Sequence, residues 1–127
     1  MLKLLKKRNS LILLLGFVLI ISCDKTQDFS ALNETVFIRN NGADMPVYMH
    51  GNLNSNVIIL LVHGGPGGTG LEYRSGKYAE SLEASYAVGY WDQRGQGMSQ
   101  GKYTNSDVTI ATMAEDLKAV IQVLKAK

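Results

Sequence analysis

The sequence predicts an α/β fold in which an antiparallel hairpin leads into parallel strands alternating with helices. Three observations predict it. Two short runs rich in β-branched and aromatic residues flank Asn40-Asn41-Gly42, which is a turn signal between strands. Residues 57–62 (Val-Ile-Ile-Leu-Leu-Val) form an unbroken apolar run of strand length, the pattern of a strand buried on both faces. Residues 110–124 carry apolar side chains at helical spacing.

The first 22 residues stand outside that pattern. Lys3, Lys6, Lys7 and Arg8 make a basic start with no acidic residue, and residues 11–21 are apolar apart from Gly16. A basic segment followed by a short apolar run is the pattern of a secretory signal. The run is shorter than the roughly 20 residues that a membrane span needs. It ends Ile20-Ile21-Ser22-Cys23, which resembles the lipobox of bacterial lipoproteins. That resemblance implies that the Cys23 thiol is diacylglycerol-modified, that the signal is cut before it, and that the protein is exported and anchored to a bacterial membrane. Cys23 is the only cysteine of the chain, so an internal disulfide is excluded. A plain signal peptide with an incidental cysteine, or an uncleaved anchor, is the alternative. Residues 23–33 then read as a polar tether, and 34–127 as the folded part.

Charge excludes one class of partner. The chain has 13 basic and 11 acidic residues; without Lys3, Lys6, Lys7 and Arg8 the balance is nine against eleven, a net −2. The basic character belongs to the signal, and no basic face for nucleic acid is left.

Residues 35–39 (Thr-Val-Phe-Ile-Arg) form the first strand. Residues 45–50 (Met-Pro-Val-Tyr-Met-His) form its return, closed by Gly51-Asn52. The apolar run at 57–62 empties into the loop His63-Gly64-Gly65-Pro66-Gly67-Gly68. Residues 71–85 have helical composition, 86–91 form another strand, and 92–101 form a second glycine-rich loop. Ser106 or Asp107 is placed to cap the last helix. Its apolar face comprises Ile110, Met113, Leu117, Val120, Ile121 and Leu124, and Lys118, Lys125 and Lys127 lie towards its C-terminus, where they suit the helix dipole.

A glycine-rich turn directly after a buried strand lets backbone N–H groups approach a reacting centre without a Cβ in the way. Two such donors about 3 Å from a developing oxyanion stabilise it by roughly 3–4 kcal/mol each. Read alone, the loop is equally a tight strand-to-helix turn. His63-Gly64-Gly65-Pro66-Gly67 is followed, about thirty residues on, by Trp91-Asp92-Gln93-Arg94-Gly95-Gln96-Gly97-Met98-Ser99. The pair resembles the proline iminopeptidase family of α/β-hydrolases, whose members carry these motifs after the third and fourth strands. The resemblance covers residues 35–127, about the first third of a family member. It implies the N-terminal part of an α/β-hydrolase sheet, with the sheet incomplete. It also implies that the backbone N–H of Gly65, or of Gly64 beside it, supplies half of an oxyanion hole. Pro66 and Gly67 shape that turn, and His63 is structural. Asp92, Arg94, Gly95, Gly97 and Ser99 order the second loop, with the Asp92 carboxylate and the Arg94 guanidinium tying it down through charge-assisted bonds.

Gly97-Met98-Ser99-Gln100-Gly101 satisfies the Gly-x-Ser-x-Gly pattern of a nucleophile elbow, but that elbow needs a strand directly before it and a helix directly after it. Here both flanks read as loop, and no histidine follows residue 101, so Ser99 is a false match. By the family pattern, the nucleophile, acid and histidine belong to elements beyond the last helix. The expected parent activity is a serine aminopeptidase acting on peptide N-termini. The 127 residues alone are expected to be inactive, with an open apolar strand edge that makes them marginal or insoluble. The alternatives are another ester, amide or epoxide hydrolase of the same fold, or a non-catalytic surface lipoprotein serving as a binding module. The expected partners are a peptide or other small-molecule substrate and the membrane at Cys23. No metal or organic cofactor is implied.

Overall fold

The structure, a computed structural model, describes residues 31–64 and 67–127. The proposed signal and Cys23 lie outside the described residues, as do Gly65 and Pro66. The hairpin is longer than expected. β1 (Ala31–Asn40) takes in the last residues assigned to the tether, and β2 (Ala43–Asn52) pairs with it antiparallel along its whole length, from Ala31 opposite Asn52 to Asn40 opposite Ala43. Asn41 and Gly42 turn the chain with φ of 41° and 81°, the double left-handed turn that matches strand twist.

β3 (Ile58–Val62), helix α1 (Gly76–Ser85), β4 (Ala87–Trp91) and helix α2 (Ile110–Lys125) follow. The sheet order is β1-β2-β4-β3. β4 inserts between the hairpin and β3, antiparallel to β2 and parallel to β3. The two-residue strand β5 (Gln100–Gly101) pairs with Ala43 and Asp44 of β2. Pro46 sits within β2 where its missing N–H is not required. Its carbonyl accepts from the Asp92 N–H, just beyond the last ladder pair, Val47 with Trp91.

The strand buried on both faces is β4, all five of whose residues are buried. The apolar run at 57–62, expected to carry an open edge in these residues, is a half-exposed end of the described sheet, with Val57 47% and Val62 51% exposed. β3 has β4 on one side and, among the described residues, no strand on the other.

Alternation along the strands sorts side chains to two faces. Ala43, Met45, Val47 and Met49 of β2, Ile38 of β1 and Trp91 of β4 form one cluster with Val120 and Leu124 of α2. On the opposite face, Tyr90 of β4 and His50 of β2 lie edge to face at 6.0 Å, and the Tyr90 hydroxyl donates to Glu83 of α1 at 2.9 Å. Burial, reinforced by that carboxylate, pushes the Tyr90 hydroxyl far above its ordinary range.

α2 begins one turn later than its expected caps. Thr109 is the cap: its hydroxyl accepts from the Thr112 N–H, while the Thr112 hydroxyl accepts from the Thr109 N–H. Ser106 and Asp107 belong to a separate short turn, Asn105–Asp107, that Thr104 caps. Of the expected apolar face, Val120 and Leu124 are buried, whereas Ile110 is 88% exposed. The buried side of the helix also carries a carboxylate, Asp116.

Candidate active site

β3 and β4 run parallel in register, with Val62 opposite Trp91, so both end at the same level. The segments that follow them, starting at His63 and at Asp92, therefore leave the same end of the sheet side by side. The ends of parallel strands, where loops are freed from the ladder, are where open α/β sheets hold their ligands.

Asp92 is the centre of this region. It is fully buried and its two oxygens accept from four donors. Oδ1 takes the Thr69 hydroxyl at 2.6 Å and the Gly70 N–H at 2.8 Å. Oδ2 takes the Met98 N–H at 2.8 Å and the Tyr48 hydroxyl at 3.3 Å. A buried carboxylate needs such compensation, since an unpaired one is costly. Gly97 makes the arrangement possible: its φ is +49°, and a Cβ there would lie 2.2 Å from Asp92 Oδ2. Gly70 matters for a second reason, because a Cβ on it would strike the backbone of Trp91 at 2.7 Å.

Two glutamines join the loops further. The Gln93 side-chain NH₂ donates to the His63 carbonyl, and the Gln96 side-chain oxygen accepts the Gly67 N–H. Both glutamines are buried. The loop after β4 thus grips the loop after β3 at His63, Gly67, Thr69 and Gly70, on either side of the expected oxyanion donors. Gly64 is exposed. Gly65 and Pro66 lie outside the described residues.

Arg94 faces the other way. Its guanidinium donates twice to Asp116 of α2, both at 2.8 Å, and to the carbonyls of Asn40 and Asn41 at 3.1 and 3.0 Å. The Asn40 side chain also donates to Asp116 at 2.8 Å, and the Tyr103 ring lies 5.3 Å from the guanidinium centre. The hydrogen bonds to Asp116 raise the Arg94 pKa further above its ordinary value. Asp92 and Arg94 act through separate partners, the first holding the neighbouring loop and the second the hairpin and α2.

His63 is 5% exposed, and among the described residues neither ring nitrogen has a hydrogen-bond partner. Ser99 follows a turn closed by its own N–H to the Gln96 carbonyl and precedes strand β5. Its hydroxyl is buried without a partner among the described residues. This is not the strand-to-helix geometry of a nucleophile elbow. Gly95 donates its N–H to the Tyr103 hydroxyl at 3.0 Å. No group of three or more His, Cys, Asp or Glu side chains among the described residues could hold a metal ion.

Asp116, Tyr48 and Thr69 were missed from the sequence. Asp116 is a single charge inside an apolar helical stripe, which is the one signal that could have exposed it. Tyr48 and Thr69 give no local signal, because only the tertiary fold brings them to Asp92.

No family model matches the chain. The chain is 32% identical over 101 residues to a Bacillus subtilis (strain 168) protein named Probable aminopeptidase YbaC, an alignment covering 79% of this chain and 29% of that protein. Its fold matches the crystal structure of a proline iminopeptidase-related protein from Thermus thermophilus with a TM-score of 0.63 and 27% identity, covering 74% of this chain and 33% of that one. The chain therefore spans about a third of the length of both relatives. The mixed sheet with its helices is an α/β fold of the kind that the Thermus protein builds.

Proposed function

We propose that this chain forms the oxyanion-hole side of a lipid-anchored serine hydrolase that removes N-terminal residues from peptides. The observation that carries the reading is the pair of loops at the ends of β3 and β4, where a glycine run is held at both of its ends by buried side chains. Its similarity to a protein named as an aminopeptidase supports the substrate class.

In this reading a serine attacks the carbonyl carbon of the N-terminal residue. The amide of Gly65, or of Gly64, donates to the oxygen as it gains negative charge. A preorganised donor of that kind contributes roughly 3–4 kcal/mol to the barrier reduction. His63, Asp92, Arg94, Gly95, Gly97 and Ser99 act by shaping the loops, and Cys23 carries the lipid. The nucleophile, acid and histidine are not supplied by the described residues, so these residues on their own do not hydrolyse substrate.

The test is a panel of aminoacyl arylamides, proline among them, with ester and epoxide substrates alongside, offered to the full-length protein. Release of the arylamine from one or more aminoacyl substrates supports the reading. Turnover restricted to esters or epoxides would move the protein to another chemistry of the same fold. Failure on the whole panel would favour a binding role.

A further inference from the structure

We propose that Gln93 and Gln96 are positioning residues that fix the glycine loop from opposite chemical sides, one as a donor and the other as an acceptor. The proposal rests on the hydrolase reading above and names what sets the orientation of its oxyanion donors.

A run of glycines has the greatest backbone freedom of any sequence. An amide there stabilises an oxyanion only if something else holds it in direction before the reaction begins. The sequence between His63 and Gly68 has one proline and no other side chain larger than hydrogen with which to fix itself. The restraint comes from the second loop. The Gln93 NH₂ holds the His63 carbonyl at the start of the run, and the Gln96 oxygen holds the Gly67 N–H at its end. Asp92 holds the Thr69 hydroxyl and the Gly70 N–H just beyond.

Two consequences follow from hydrogen-bond chemistry. The Gly67 N–H is already committed to Gln96, which excludes it as an oxyanion donor. The direction of each bond is also fixed, since a carbonyl can only accept and an N–H can only donate. Gln93 therefore needs its nitrogen and Gln96 needs its oxygen. Glutamate keeps the shape and the oxygen of glutamine but loses the donor. At position 96 it preserves the bond; at position 93 it sets a carboxylate against a carbonyl. Both substitutions add the same charge beside the same loop, so the difference between them reports bond direction.

The experiment compares Gln93→Glu, Gln96→Glu and Gln96→Ala in the full-length protein, by steady-state hydrolysis of an aminoacyl arylamide and by hydrogen exchange of glycine amides after ¹⁵N-glycine labelling. The kcat of Gln93→Glu should fall at least about tenfold below that of Gln96→Glu with KM within about twofold, the scale expected when catalytic groups are misplaced without loss of binding. Relative to wild type, Gln93→Glu should recover as the pH is lowered through its carboxyl titration, because the neutral acid regains an O–H donor. Gln96→Glu should not. The Gly67 amide should exchange slowly in wild type and in Gln96→Glu, and at least about tenfold faster in Gln96→Ala.

Equal kcat in the two glutamate variants would overturn the proposal, as would a Gly67 amide that exchanges as fast as that of Gly64 in wild type. The wild-type comparison stands even if a variant does not fold. If the wild-type protein hydrolyses no aminoacyl arylamide, the peptidase reading fails by itself, and the glycine exchange pattern still decides whether the two ties exist.

Discussion

Arg94 and Asp116 face each other through two hydrogen bonds of 2.8 Å, with side chains 1% and 0% exposed. One belongs to the loop after β4 and the other to the buried side of α2, so a single ion pair fastens the candidate site to the helix behind the sheet. The carbonyls of Asn40 and Asn41 take two more of the guanidinium donors, which brings the β1–β2 turn into the same junction.

Removing one partner leaves the other charge buried and alone, at a cost of about 3–5 kcal/mol. Asp116→Ala should lower the stability of the protein by that order, read from its chemical unfolding midpoint. Arg94→Lys keeps the charge but not the fork, and should recover only part of the loss. A variant within about 0.5 kcal/mol of wild type, the range of ordinary surface changes, would show that the junction is not structural.

Gly97→Ala is the second expected failure. The left-handed backbone alone costs a non-glycine residue on the order of 1–3 kcal/mol, and the new methyl group would meet Asp92 at 2.2 Å. Gly64→Ala should leave stability unchanged, since nothing among the described residues beyond its chain neighbours lies within 4 Å of the position its Cβ would take. Melting temperatures of the two variants check the contrast, and a Gly97→Ala protein as stable as Gly64→Ala would contradict it.

Acid should destabilise the face of the sheet opposite the main core. His50 lies half-buried beside Tyr90, with Glu83 of α1 and Arg74 near it. Burial first, then the Arg74 charge, lowers its pKa below the ordinary value, against a smaller opposing pull from Glu83. The unfolded chain therefore binds the proton at higher pH than the folded one does. The neutral form's contribution is complete above about 6.5, the ordinary histidine value, and is lost as pH falls towards the lower folded value. His50→Asn should flatten the stability–pH curve below the ordinary histidine value of about 6.5. Glu83 acts at lower pH. Burial raises its pKa, but the hydrogen bonds from Arg74 and Tyr90 outweigh this and hold it below the ordinary carboxylate value, so its contribution also disappears on acidification.

The outer edge of β3 should drive self-association of residues 31–127 expressed by themselves, because an apolar strand with an open edge is a template for further strands. Ile58 and Val62 are 38% and 51% exposed. Lysine at both positions should shift the protein towards monomer in sedimentation. An unsubstituted chain that is already a soluble monomer would contradict this.

The proposed lipid attachment has its own readout. Cys23→Ser should abolish incorporation of labelled palmitate and release the protein from membranes, and labelling that persists in the variant would remove Cys23 from the account.

Much of the fold was legible because its signals are local. The Asn40-Asn41-Gly42 turn, the apolar run at 57–62 and the stripe ending at Leu124 each announce an element within a few residues. Sheet order is not local. Nothing within 57–62 says that β4 will lie between it and the hairpin. Asp107 resembles a helix cap and is drawn into the Thr104 turn, because Thr109 and Thr112 satisfy each other one turn later. In the site, the two glycine loops and the motif residues were readable, but their partners were not. Asp92 and Arg94, two apart in the chain, were expected to secure the loop, yet no local pattern shows that one reaches Thr69 and the other Asp116.

The central claim, that this glycine loop serves a nucleophilic serine, is tested most directly by titrating the full-length protein with a fluorophosphonate and counting the covalent adducts by mass spectrometry. The account predicts one adduct per molecule, on a serine other than Ser99, with aminoacyl-arylamide hydrolysis lost in proportion. A protein that hydrolyses the arylamide yet takes up no reagent, or takes it up at Ser99, would contradict it.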